Sequence, residues 1–160
     1  MVTLSKKQTI HAHGQRVVLV YNTAERPAHS LMKGLLWALY LPDYPDMKIE
    51  CRVGDRYKPD VVSLDAGGAP LFWGEAGKVG RKKIHSLARR FPQTHFAIAK
   101  WDTSLRPFAK IVGDALAGVK RSAPFDLIAF PADSGERFFD GEGNVRVGFD
   151  SLNWQRFNPR

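Results

Sequence analysis

The chain has a single cysteine, Cys51, so it forms no internal disulfide and depends on a packed core for stability. That usage suits a reducing cytosol, and a cytoplasmic location is the expectation. No apolar run reaches membrane-spanning length, and Met1 to Lys7 lacks the apolar centre of a signal peptide, so no membrane partner is expected. Gly-rich phosphate loops of the nucleotide-binding kinds are absent, as are internal repeats, low-complexity tracts and clear linkers. Acids are scarce in one long stretch. From Lys78 to Arg121 only Asp102 and Asp114 stand against eleven basic residues.

What is present describes a globular chain. Its 160 residues, 44% hydrophobic and 11% aromatic, fit one domain over residues 1–160. The net charge of +8 is concentrated: the segment from Lys78 to Arg121 carries +9, and the parts on either side nearly cancel. A basic region of this kind suits a phosphate backbone, so nucleic acid, DNA or RNA, is the expected partner. A solvated basic face is the plainer reading of the same charges.

The pattern of elements alternates. Thr9 to His13 and Arg16 to Tyr21 flank Gly14-Gln15 as a hairpin. Glu25 to Tyr40 reads as a helix with Pro27 in its first turn and Met32, Leu35, Leu36 and Leu39 on one apolar face. Met47 to Val53 reads as a strand. Gly80 to Phe91 is a helix, His95 to Trp101 a strand buried on both faces, and Ser104 to Leu116 a third helix. Phe125 to Phe130, Arg137 to Phe139 and Asn144 to Phe149 read as late strands, the last two joined by a turn at Asp140 to Asn144. Trp37, Trp73, Trp101 and Trp154 lie in apolar contexts and read as core.

One stretch carries chemistry. Asp60 follows Pro59 and opens the apolar run Asp60-Val61-Val62-Ser63-Leu64; Glu75 closes the run Leu71-Phe72-Trp73-Gly74-Glu75, and Lys78 lies three positions beyond it. The turn Asp65 to Pro70 separates the runs, with Asp65 a turn residue. A hairpin brings the two acids together, and paired carboxylates form a hard-oxygen site for Mg²⁺ or Mn²⁺. Acids at strand ends beside a turn are also common without any metal.

The order Pro-acid strand, Trp73-Gly74-Glu75-Ala76-Gly77 strand end and basic helix resembles the PD-(D/E)xK nuclease superfamily, and within it the YaeQ-like family. The stretch from Tyr21 to Tyr40, with an early glutamate and a late Leu-Leu-x-Trp-type run, is similar to that family's first helix. Val145-Arg146-Val147 and Leu152 to Gln155 resemble its closing strand and tail. The resemblance implies an α/β fold with a restriction-endonuclease-like core: a central mixed β-sheet flanked by helices, with extra β-hairpins at the N- and C-terminal ends. It implies divalent-metal-dependent cleavage of nucleic-acid phosphodiesters, with Asp60 and Glu75 as metal ligands, the Ala76 carbonyl a third, and Glu25 a further metal ligand. Glu25 reads equally well as a first-turn acid favoured by the helix dipole.

This chain departs from the superfamily pattern at Gly77, where the pattern has its lysine. Residues two apart on a strand share a face, so Lys78 points away from Glu75 unless a bulge intervenes. Lys82 or Lys83 from the following helix is the other source, and Lys78 or Lys83 is the expected catalytic lysine. Arg81, Lys82, Arg89 and Arg90 are the expected phosphate contacts. A non-catalytic nucleic-acid-binding or protein-interaction domain that keeps the nuclease fold is the alternative, favoured by Gly77.

Overall fold

The computed structural model describes residues 5–22 and 24–159. Strands β1 (Ser5–Ala12) and β2 (Gln15–Asn22) form an antiparallel hairpin that extends further from the turn than the sequence pattern indicates; the turn falls at His13 and Gly14, both with positive φ, and not at Gly14-Gln15, because Gln15 pairs with Ala12 in the ladder. Helix α1 (Pro27–Tyr40) follows. Then come β3 (Lys48–Ile49), β4 (Val61–Leu64) and β5 (Pro70–Ala76). Helix α2 (Arg81–Arg90) leads to β6 (His95–Trp101), and α3 (Arg106–Leu116) leads to β7 (Phe125–Phe130). A short helix α4 (Ser134–Phe138) and the edge strand β8 (Asn153–Phe157) complete the described fold.

The six-stranded sheet runs in chain order, β3-β4-β5-β6-β7-β8. Its flanks are antiparallel, whereas β5, β6 and β7 are parallel. Parallel neighbours need crossover connections, which α2 and α3 supply. Both helices cover one face over Trp73, Ile84, Leu87, Phe96, Ile98, Val112 and Leu127. The other face packs on α1 through Phe72, Ala76, Ala97, Ala99, Ile128 and Phe130. The expected α/β class, mixed sheet and flanking helices are all present.

Helix α1 is the middle of a sandwich. The sequence suggests one apolar face, yet every residue from Met32 to Leu41 is buried. The reason is the β1–β2 hairpin, which lays Ile10, Ala12 and Leu19 over the side of α1 that faces away from the sheet. Gly34 allows this approach: a Cβ there would stand 3.1 Å from Ile10 Cδ1 and 3.2 Å from Leu19 Cδ2.

Several expectations need correction. The strand expected over Met47 to Val53 stops after Ile49, because Glu50 adopts φ 56°, a left-handed conformation that leaves the ladder. Arg137 to Phe139 is not a strand: Arg137 and Phe138 belong to α4, where the Arg137 N–H donates to the Asp133 carbonyl at 2.9 Å. Asn144 to Phe149 makes only isolated bridges, Asn144 to His11 and Val145 to Phe139, so the C-terminal hairpin reduces to a turn. That turn is built as expected, with Asp140 Oδ1 accepting the Glu142 and Asn144 N–H groups at 2.8 Å each. The closing strand is β8, and its Trp154 is exposed against Phe149 and Arg156 rather than in the core.

Candidate active site

The acidic hairpin forms. Val61 pairs with Gly74, and the Asp60 N–H donates to the Gly74 carbonyl at 3.1 Å, so Asp60 enters beside Glu75. Asp65 closes the turn through its Oδ1, which accepts the Gly67 and Ala69 N–H groups at 2.9 Å each. Both acids therefore lie where β5 ends, at the C-terminal edge of the parallel strands. That is the usual position for a ligand site in an open α/β sheet.

The two carboxylates sit in different surroundings. Asp60 Oδ2 accepts the Ala76 N–H at 2.8 Å and lies 3.7 Å from His29 Nε2. Burial pushes the Asp60 carboxyl up, but His29 and the Ala76 N–H outweigh it, leaving it below the ordinary range. Glu75 is buried on the α2 side, where its Oε1 accepts the Trp73 indole N–H at 3.0 Å and meets Lys83 Nζ at 3.0 Å. Burial raises the Glu75 carboxyl above its ordinary value; the Asp60 charge adds to this, and Trp73 and Lys83 oppose it. The two neighbouring carboxyls are thus shifted in opposite directions, Asp60 down and Glu75 up.

Cations crowd the Asp60 side. His29 Nε2 lies 3.1 Å from the Ala76 carbonyl and His29 Nδ1 lies 3.3 Å from Glu25 Oε2. Asp60 is the main reason that the His29 pKa rises to about 9, with burial opposing and Glu25 assisting. A pKa raised that far favours the imidazolium at neutral pH, the form in which both ring nitrogens are donors. At 3.7 Å its contact with Asp60 is one of charge rather than a formed hydrogen bond. Lys33 is buried on α1 and its ammonium donates to Glu25 at 3.3 Å and to Glu50. Burial pulls Lys33 down, and the acids Glu50, Asp60 and Glu25 more than restore it.

Each expected site residue has a definite place. Glu25 precedes α1 instead of starting it, and its carboxylate reaches over the first turn to His29, Ser30 and Lys33. His29 therefore stands between Glu25 and Asp60. Among the described residues no three His, Cys, Asp or Glu side chains are placed to share one ion. Gly77 has φ 95° and β5 ends before it, so the chain leaves the sheet there with Lys78 exposed. Lys83, not Lys78, meets Glu75. On α2, Arg81, Lys82 and Arg89 are exposed, whereas Arg90 is held by Asp55 and Ser86.

No protein family and no curated protein matches the chain by sequence. Solved structures match it in fold. The YaeQ protein from Pseudomonas syringae superposes with a TM-score of 0.56 at 17% identity, over 91% of this chain and 82% of that one. The YaeQ protein from Xanthomonas axonopodis pv. citri gives 0.57 at 12% identity, over 99% of this chain and 100% of that one. The fold is YaeQ-like. At such identities the likeness concerns backbone architecture, and the chemistry must be argued from this chain's own side chains.

Within the YaeQ-like fold the sequence reading named the two acids and Lys83, the partner of Glu75, and missed His29, Lys33 and Glu50 on the Asp60 side. His29 and Lys33 lie four apart on α1, so they share a helical face with each other. That spacing is a local signal that a charged stripe runs along an otherwise apolar helix. Glu50 left no such signal, because its role follows from a left-handed turn. Lys100 was counted only as charge, yet it is buried on β6 with its Nζ 2.7 Å from the Gly77 carbonyl.

Proposed function

We propose that this chain is a divalent-metal-dependent nuclease of the PD-(D/E)xK type, with a restriction-endonuclease-like core. What supports the reading is that Asp60 and Glu75 lie at adjoining strand ends, with the Asp60 N–H bonded to the Gly74 carbonyl at 3.1 Å and Lys83 Nζ 3.0 Å from Glu75. The donor set fits a hard cation such as Mg²⁺ or Mn²⁺: two carboxylates and the Ala76 carbonyl, all oxygen. When bound, such an ion lowers the pKa of water and offsets charge on the scissile phosphate. Asp60 and Glu75 would hold it, with the Ala76 carbonyl as a third ligand; Glu25 would act at one remove by holding His29. The Ala76 carbonyl meets His29 Nε2 at 3.1 Å and keeps a second lone pair for a ligand role.

The chain's own groups complete the chemistry. Lys83 fills the role that Gly77 cannot, orienting the attacking water or stabilising developing charge. Arg81, Lys82 and Arg89 contact phosphates along the exposed face of α2, and Arg90 buttresses that face through Asp55. A cytoplasmic nucleic acid is the substrate class.

A second reading has its own support. Asp60 and Glu75 already have cationic neighbours, His29 and Lys83, and Lys33 bridges Glu25 and Glu50. A domain that binds nucleic acid without cutting it needs no further cation there. Incubating the protein with single- and double-stranded DNA and RNA in Mg²⁺ or Mn²⁺ separates the two. Cleavage by wild type that is abolished in Glu75→Gln supports the nuclease. Salt-sensitive binding without cleavage in either metal supports the binding domain.

A further inference from the structure

Lys100 is the buried lysine that pairs with no carboxylate among the described ion pairs. Lys33, also buried, lies between Glu25 and Glu50, whereas the ammonium of Lys100 meets, among the described residues, the Gly77 carbonyl at 2.7 Å and the Phe108 ring, 4.2 Å from its centroid. Removing an ammonium from water is costly unless a partner compensates, and a carbonyl with an aromatic face compensates only in part. Burial, with the Lys78 charge nearby, accordingly lowers the Lys100 pKa.

Register shows which way this cation faces. Ala76 pairs with Ala99, and the Gly77 N–H donates to the Ala99 carbonyl at 3.0 Å, which sets Gly77 beside Lys100. Along β6, Phe96 and Ile98 face α2 and α3, and alternation places Lys100 on that side. Along β5, Trp73 faces the same way, and so does Glu75. The ammonium therefore stands on the Glu75 side of the sheet, two residues further along, level with Gly77, which has no side chain of its own.

We infer that the Lys100 ammonium, held against the Gly77 carbonyl at the end of β5, is a built subsite for a phosphate oxygen. A lysine has three donors and the Gly77 carbonyl takes one, so an incoming oxyanion receives the others and supplies the missing charge. That the phosphate belongs to a nucleic acid rests on the nuclease reading; the subsite itself does not.

The test uses the full chain without metal, as wild type, Lys100→Met and Lys100→Arg. Thermal unfolding is followed with rising inorganic phosphate against chloride at equal ionic strength. Wild type and Lys100→Arg should gain stability with phosphate. Lys100→Met should be at least as stable without phosphate and should lose the gain; Lys100→Gln carries the same comparison if the methionine variant fails to fold. In parallel, binding of a fluorescent oligonucleotide should weaken about tenfold in Lys100→Met. Its log–log salt slope should drop by about one. A phosphate gain absent from wild type, or equal in Lys100→Met, overturns the inference even if the protein cuts DNA. A phosphate gain that depends on Lys100 in a protein that neither binds nor cuts oligonucleotides upholds the subsite and defeats the nuclease reading.

Discussion

Lys83, in the first turn of α2, places its ammonium 3.0 Å from Oε1 of Glu75, the penultimate residue of β5, and rests over the Tyr57 ring. This contact ties the basic helix to the acidic strand end. It also moderates the charge of a buried carboxylate that burial alone would push further towards neutrality.

Lys83→Met removes an influence that lowers the Glu75 pKa, so that pKa should climb further. Carboxyl-carbon NMR titration reads it directly. A folded-state pKa above the unfolded value means stability is present at low pH and lost as pH rises through that range. Lys83→Met should therefore shift this loss to higher pH and deepen it. An unchanged Glu75 titration would show that the two groups are not coupled.

The His29 pKa is raised from 6.5 to about 9, chiefly by Asp60. Its contribution to stability is complete below the unfolded value near 6.5 and disappears as pH rises towards about 9. Urea midpoints of wild type should fall between pH 6.5 and pH 9. His29→Gln should be less stable at the acid end and much flatter across the window. Parallel curves for the two proteins would contradict the assignment.

A second polar network lies away from the site. Asp126, fully buried, accepts from Tyr40 at 2.6 Å, His95 at 2.7 Å and Arg156 at 2.9 Å, while the Tyr44 hydroxyl meets the other His95 nitrogen at 2.9 Å. Burial raises the Asp126 carboxyl, but those donors outweigh it and keep it below its ordinary value. Tyr40→Phe should cost about 1.5–3 kcal/mol by denaturant unfolding, the loss of one buried bond to a charged acceptor. The network's contribution should be present above the ordinary carboxylate range and lost as pH falls through the lowered pKa. It should leave nucleic-acid binding unchanged, since β8 and the N-terminal end of β6 lie away from Glu75.

Gly34→Ala sets two effects against each other. Alanine favours a helix over glycine by about 1 kcal/mol. The new methyl meets Ile10 and Leu19 at 3.1 and 3.2 Å, both fully buried, and overpacking costs about 1–3 kcal/mol. Crowding should win, giving a net loss of about 1 kcal/mol in chemical denaturation. A stabilised variant would mean that the hairpin yields easily against α1.

The acidic hairpin, the helices α2 and α3 and the strands β6 and β7 were legible because each rests on local rules. Alternation and the Gly-Gly-Ala-Pro turn bring Asp60 to Glu75, and helical spacing with Pro92 bounds α2. The late segment misled because Arg137 and Phe138 are apolar–polar neighbours of a short helical turn, whose backbone bonds outweigh strand propensity over so few residues. Strand β8 is half polar and exposed, so no burial pattern announces it.

Which cation meets which acid was decided only by the tertiary structure. Lys83 reaches Glu75 because α2 crosses back over the sheet; Lys100 reaches Gly77 because β6 pairs in parallel with β5 in one register. His29 and Lys33 meet Asp60 and Glu50 because the hairpin presses α1 onto the sheet. Spacing along a chain sets periodicity and turns, which depend on neighbours a few residues apart. The partners of a buried charge are groups distant in sequence, and the low dielectric of the interior makes their identity decide its protonation.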